Sequence, residues 1–162
     1  MGLVPGARAA VITVSDGVSA GVREDGSGQA LEEMLTSNGY QVSRDLVPDQ
    51  VDRITAAITE ACSNADLVLT TGGTGFGLRD VTPEATGSVL EREAPGLVHA
   101  MLARGIESTP MAALTRARAG TVGNSLVVNL PGSPKGAVEN LEAIIDLIPH
   151  ALQLLSGDNE HH

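Results

Sequence analysis

Thr70-Thr71-Gly72-Gly73-Thr74-Gly75-Phe76-Gly77-Leu78-Arg79-Asp80-Val81-Thr82-Pro83-Glu84 is the stretch on which the reading of this chain turns. The apolar run leading into it, residues 65–69, has the length and composition of a buried strand. It empties into Gly72, Gly73, Gly75 and Gly77, and Thr82-Pro83-Glu84 then carries a helix start signal. Strand, glycine loop and helix in that order make a ligand loop. Glycine lets the backbone turn sharply and approach a ligand, while hydroxyls, amide N–H groups and a helix N-terminus offer donors to an anion. The ligand this points to is phosphorylated. Two familiar phosphate signatures are excluded by letter: Leu78 stands where the dinucleotide fingerprint needs its third glycine, and no Gly-Lys-Ser/Thr completes a P-loop. A plain glycine-rich surface turn is the alternative.

On the N-terminal side, residues 9–14 (Ala-Ala-Val-Ile-Thr-Val) read as a first strand, followed by Ser15-Asp16 and a polar loop to Gly28. Ser27 is placed to cap a helix whose Ala30, Leu31, Met34 and Leu35 recur at helical spacing, closed by Asn38-Gly39. A second strand runs over 40–47. Pro48-Asp49 then opens a helix with Val51, Ile54, Ala57, Ile58 and Ala61 on one face and Asp49 as its N-cap. On the C-terminal side the pattern predicts a helix from Thr82 to about Arg92, an interruption at Pro95-Gly96, and a second short helix over 97–104. Residues 105–117 show no period and read as a loop. Residues 119–122 and 125–130 flank Gly123-Asn124 as a hairpin at or beside the sheet edge, the second strand the more buried. Pro131-Gly132-Ser133-Pro134-Lys135-Gly136 follows, and 137–155 reads as one long helix kinked at Pro149. Short strand-helix repeats of this kind predict right-handed crossovers and an α/β domain, 1–162 with its core at about 8–156, whose mostly parallel sheet is covered on both faces.

Composition narrows the function classes. At 162 residues and 42% hydrophobic content, one packed core is affordable. Tyr40 and Phe76 are the only aromatics, so that core is aliphatic, as suits a parallel sheet under helices. A net charge of −10 and a pI near 4.6 exclude a basic footprint for nucleic acid or an anionic membrane. Any polyanionic ligand is therefore held locally. Cys62 is alone, and no secretory h-region or long apolar span is present, so a cytoplasmic protein is the simplest expectation. His99, His150, His161 and His162 lack metal-ligand spacing, and the last two read as a tail or tag remnant.

Four strand ends carry polar loops: Ser15-Asp16, Pro48-Asp49, residues 70–80, and residues 131–136. In an open α/β sheet, ligands bind outside the carboxyl ends of the strands, so the four loops are expected on one rim. Lys135 is the only lysine. Just inside a helix N-terminus and beside glycine amides and Ser133, it is arranged to receive a phosphate; equally, Ser133 and Pro134 make an ordinary cap and Lys135 a solvated side chain. Asp49 and Asp80 are out of place beside phosphate unless a divalent cation intervenes. Mg²⁺ is typically held by one or two carboxylates plus substrate phosphates, which points to a nucleoside triphosphate with magnesium. Against this, Asp49 alone reads as a cap and Asp80 as a turn closer or a partner of Arg79. Asp16 and Glu84 are further candidates, although the helix dipole accounts for Glu84.

These residues resemble the MogA/MoaB family of molybdopterin-binding proteins of molybdenum cofactor biosynthesis. The resemblance is carried by residues 70–75 with Arg79-Asp80-Val81-Thr82-Pro83-Glu84, and by Asn129-Leu130-Pro131-Gly132-Ser133-Pro134-Lys135. Ser15-Asp16 with Gly21 and Asp25, Pro48-Asp49, Arg92-Glu93 with Pro95-Gly96, and Leu114-Thr115-Arg116 add to it. It implies a three-layer α/β/α fold, usually trimeric and hexameric on the MoaB branch. It also implies binding of molybdopterin, which catalytic members adenylylate with Mg-ATP, acting as nucleotidyltransferases. Asp49 and Asp80 match the family's catalytic or metal-site pair for Mg²⁺. Ser15, Asp16, Thr71, Gly72, Gly73, Thr74, Gly75, Pro131, Gly132, Ser133 and Lys135 are the implied substrate and phosphate contacts. A downstream molybdate-insertion enzyme is the implied protein partner. Phe76-Gly77-Leu78 and Thr115 depart from residues common in the family, and the alternative within it is a MoaB-type paralogue that binds molybdopterin or a partner without catalysing transfer.

Overall fold

The structure, a computed structural model, describes residues 6–157; His161 and His162 lie outside them. Its β-branched and aliphatic runs form one six-stranded sheet in the order β2-β1-β3-β6-β5-β4. β1 (Arg8–Val14) lies between β2 (Gln41–Val47) and β3 (Leu67–Thr71), and β3 pairs with β6 (Ser125–Leu130), all in parallel. β5 (Ala119–Val122) runs antiparallel to β6 as the expected hairpin, and the two-residue β4 (Arg92–Glu93) runs antiparallel to β5. β6 is wholly buried and β5 only in part.

Strand side chains alternate between the two faces, so each strand feeds two cores. Ala9, Val11, Leu67, Leu69, Leu126 and Val128 pack with residues of α2 (Gly26–Ser37), α5 (Pro95–Ser108), α6 (Pro134–Ile144) and α7 (Ile148–Leu155). Ala10, Ile12, Val14, Val68 and Val127 pack with α3 (Val51–Cys62) and α4 (Thr82–Val89). The result is three layers, helices on both sides of a mostly parallel sheet.

Register decides what the strands deliver. Val14 lies opposite Val47, Thr13 opposite Thr71, and Thr71 opposite Leu130, so β1, β2, β3 and β6 stop at one level. Fully buried Asn129 locks the central pair: its Nδ2 donates to Thr70 Oγ1 and Thr86 Oγ1 at 2.9 Å each, and its Oδ1 accepts the Arg118 N–H at 3.0 Å. Burial makes an unpaired amide costly, so a register slip would forfeit all three bonds.

Several expected boundaries are corrected. Asp25, not Ser27, caps α2, its carboxylate accepting the Gly28 N–H at 3.0 Å; it also accepts the Thr13 hydroxyl and pairs with Arg44, while Ser27 is buried in the first turn. Gln50, not Asp49, precedes α3, and no side chain caps it, because the Asp49 carboxylate is engaged by the Asp16 N–H. The polar loop after β1 contains a four-residue helix, α1 (Asp16–Ser19), capped by Ser15. The helix expected to reach Arg92 ends at Val89, since Arg92 and Glu93 find backbone partners in β5. Pro95 starts α5 rather than interrupting a helix, because the first turn has no use for the N–H that proline lacks. α5 then extends to Ser108, and a 3-10 turn, Pro110–Leu114, occupies part of the expected loop. The single kinked C-terminal helix is two helices, with Pro149 in the first turn of α7.

Candidate active site

Because four strands end level, their loops surround one polar cavity of about 540 Å³. Ser15 enters from the end of β1, Asp49 from the loop after β2, Gly72, Gly73 and Asp80 from the loop after β3, Gly132 and Ser133 from the loop after β6, and Pro134 from the start of α6. Residues 23–25 ahead of α2 and Gly26 and Ser27 in its first turn close the remaining side. Two glycines are there by necessity. Gly72 has φ 106° and a Cβ would lie 2.4 Å from the Val14 carbonyl oxygen; Gly73 has φ 71° and a Cβ would lie 2.4 Å from Thr82 Oγ1. The two glycine loops are tied directly: Thr71 Oγ1 donates to the Pro131 carbonyl at 2.6 Å, and the Gly72 N–H to the Leu130 carbonyl at 3.1 Å. Thr82 holds the far end of the turn, its hydroxyl donating to the Gly72 carbonyl at 2.9 Å and its N–H to the Gly73 carbonyl at 3.1 Å.

Asp49 and Asp80 line the cavity, and Asp16 is bonded to Asp49 beside them. Asp16 and Asp49 exchange bonds: the Asp16 N–H donates to Asp49 Oδ2 at 2.9 Å, and the Asp49 N–H to Asp16 Oδ1 at 3.0 Å. Arg79 reaches over from the glycine loop and donates to both Asp16 oxygens, at 3.0 and 3.1 Å. That pair holds the Asp16 carboxyl below its ordinary range, with the Asp49 N–H assisting. Asp49 is pushed up, first by burial and then by the negative charges of Asp16 and Asp80, against the lowering bond from the Asp16 N–H. Asp80 Oδ2 accepts the Gly77 N–H at 2.9 Å, so Asp80 both closes its turn and lines the cavity.

Ser15, Thr71, Gly72, Gly73, Gly132, Ser133, Asp49 and Asp80 thus meet around one space. Asp16 stands behind Asp49 rather than in the lining. Thr74, Gly75 and Pro131 turn away from it to a second, smaller cavity of about 200 Å³ walled by Met101, Leu102, Met111 and Leu114. Lys135 is exposed in the first turn of α6, one residue beyond the lining. The Gly72 amide, expected to face an anion, is already bonded to Leu130, which leaves the Gly73, Thr74 and Gly75 amides without a protein acceptor among the described residues. Ser133 is a true cap, its Oγ accepting the Gly136 N–H at 3.1 Å, and it lines the cavity as well. Glu84 pairs with Arg116, which lowers its pKa.

Three residues of the site region were not singled out as site residues by the sequence. Arg23 and Glu24 line the cavity from a stretch that reads only as polar loop. Arg116 bonds to the carbonyls of Gly75 and Asp80 across 41 and 36 positions of sequence. Its place in the Leu114-Thr115-Arg116 motif is the one hint that could have found it.

Over residues 10–150 the chain matches the protein family described as "Probable molybdopterin binding domain". It is 40% identical over 153 residues to the molybdopterin adenylyltransferase of Helicobacter pylori strain J99, spanning 91% of this chain and 87% of that one. To the molybdopterin adenylyltransferase of Escherichia coli K12 it is 36% identical over 167 residues, spanning 93% and 86%. Among solved structures, the molybdopterin biosynthesis enzyme MoaB of Thermus thermophilus superposes with a TM-score of 0.87 at 46% identity, covering 93% of this chain and 96% of that one.

Proposed function

The chain belongs to this family of molybdopterin-binding domains, and from that membership together with the cavity we propose that it is a molybdopterin adenylyltransferase of molybdenum cofactor biosynthesis. A terminal phosphate oxygen of molybdopterin attacks the α-phosphorus of ATP, the bond from that phosphorus to the β-phosphate bridging oxygen breaks, and pyrophosphate leaves. Little covalent chemistry falls to the protein. Its work is positioning and charge compensation.

The observation that carries this reading is the meeting of Asp49 and Asp80 in one cavity with Gly73, Ser133 and Arg23. Two carboxylates, one of them pushed up by burial and by its neighbours' charge, form an oxygen donor set that suits a divalent cation. Asp49 and Asp80 would hold Mg²⁺, which when bound supplies positive charge to the triphosphate. The free Gly73 amide binds phosphate oxygens in the polar cavity, and Ser133 with Lys135 forms the second anion contact. Asp16, fixed by Arg79, orients Asp49 through its N–H. The second cavity, with its apolar walls on the other side of the glycine loop, suits the flat ring of molybdopterin.

One assay tests this. Pure protein incubated with molybdopterin and Mg-ATP is expected to yield adenylylated molybdopterin and pyrophosphate in equal amounts. Bound molybdopterin with no pyrophosphate would select the alternative, a MoaB-type protein that holds the ligand without transfer. No helix among the described residues is long and apolar enough to cross a membrane, and we place the reaction in the cytoplasm, ahead of a molybdate-insertion step.

A further inference from the structure

Arg116 reaches both ends of the glycine loop. Its Nε donates to the Gly75 carbonyl at 2.7 Å and one terminal nitrogen to the Asp80 carbonyl at 2.8 Å. The other terminal nitrogen donates to Glu84 Oε2 at 2.6 Å in the first turn of α4. The Arg116 N–H donates to the Thr74 carbonyl at 2.8 Å, and the guanidinium sits 5.9 Å from the centroid of the Phe76 ring. Beyond Arg116, the tip of the loop is held from outside, among the described residues, only by Arg79, which donates to both Asp16 oxygens on the opposite side. Phe76 is 68% exposed and Leu78 fully so, and inside the turn the only bonds are Gly77 N–H to Asp80 Oδ2 and Asp80 N–H to the Gly77 carbonyl. Three acceptors in three directions call for the planar fork of arginine; a lysine ammonium on its single stem reaches one of them.

We propose that Arg116 is a positioning residue for adenylyl transfer, fixing the glycine loop so that the Asp80 carboxylate is held toward the polar cavity. This rests on the adenylyltransferase reading above. Arg116 itself lies outside the cavity lining and acts only through the loop. Misplacing a reacting or charge-compensating group by an ångström costs far more in rate than in substrate affinity, so the signature is a split between kcat and KM.

The test compares Arg116→Lys and Arg116→Ala with wild type and with Arg118→Gln, whose guanidinium pairs with Glu93 away from the loop. Pyrophosphate release gives kcat and the KM for ATP, and amide hydrogen exchange reads the Gly77 and Asp80 N–H groups. Both Arg116 variants are expected to lose roughly 10- to 100-fold in kcat with KM changed by less than about 3-fold, and to exchange faster at Gly77 and Asp80. Added guanidinium ion should restore part of the Arg116→Ala rate, and Arg118→Gln should match wild type. Wild-type kcat in Arg116→Lys overturns the proposal, as does a loss of kcat with exchange at Gly77 and Asp80 unchanged. If Arg116→Ala does not fold, Arg116→Lys decides alone. If wild type releases no pyrophosphate, the adenylyltransferase reading falls, and this proposal falls with it.

Discussion

Asp80 answers to two neighbours, the Gly77 amide that its Oδ2 accepts and the cavity that it lines beside Asp49. Asp80→Asn keeps an acceptor for Gly77 and removes the charge. Turnover should fall on the order of 100-fold, comparable with losing one preorganised electrostatic contact, while the melting temperature stays close to wild type. Pyrophosphate release and thermal melting on one preparation check this, and full activity in folded Asp80→Asn would remove Asp80 from the mechanism. Asp49 predicts a different pairing of effects. Its folded pKa is raised, so the folded chain holds that proton more tightly than the unfolded one, and the residue's contribution to stability falls as pH rises from the ordinary value of 3.8 through the folded pKa. At neutral pH the ionised carboxylate is therefore a strain on the fold. Asp49→Asn should melt higher than wild type at pH 7, gain nothing near pH 3, and lose the rise in melting temperature that Mg²⁺ gives wild type. A lower melting temperature at pH 7 would mean that the bond from the Asp16 N–H outweighs the repulsion. Asp16 has the opposite sign: held down by Arg79, it stabilises at neutral pH and gives this up as pH falls through its lowered pKa.

At the scale of elements, α6 separates a scaffold role from a ligand role within three residues. Ser133→Ala removes the acceptor of the Gly136 N–H and should cost about 1 kcal/mol of stability. Lys135→Ala, at an exposed position, should stay within about 0.5 kcal/mol of wild type in stability yet weaken ATP or molybdopterin binding by calorimetry. Unchanged binding would return Lys135 to solvent. β3 and β6 were legible because buried apolar runs ending in glycine or proline have few other readings, whereas β2, with Ser43, Arg44 and Asp45, was carried by its place between two helical patterns. Proline was where element reading went astray. At Pro95 and Pro149 the same residue that breaks a helix interior opens a helix, and which it does depends on whether the groups before it find other partners. For Pro95 those partners lie in β5, remote in sequence. Arg116 was hidden for the same reason, since the carbonyls it binds are chosen by the fold.

For the whole molecule, half of the large exposed apolar side chains among the described residues fall on two neighbouring segments, the others (Val22, Leu46, Val51, Leu147 and Leu154) elsewhere in the chain. Ile106 at 47% exposure, Met111 at 65% and Leu114 at 45% lie on the end of α5 and the 3-10 turn after it, and Phe76 and Leu78 project from the glycine loop. That surface, with the family membership, leads us to expect a trimer, seen by light scattering as about three times the 16.6 kDa chain mass. A monomer at micromolar concentration would overturn this, and twice the trimer mass would place the chain with hexameric members. The sheet order also has a side that is a matter of time. β3 is central in the finished sheet, and its five residues are all buried, but its outer neighbour β6 is made only after residues 72–124 have been added. At ribosomal speeds of about 5–20 residues per second, the emerging chain carries a bare, apolar strand edge for several seconds. The loops after β3 and β6, which both line the site, cannot meet before that interval ends, so each molecule is open to strand-edge association before it is able to bind.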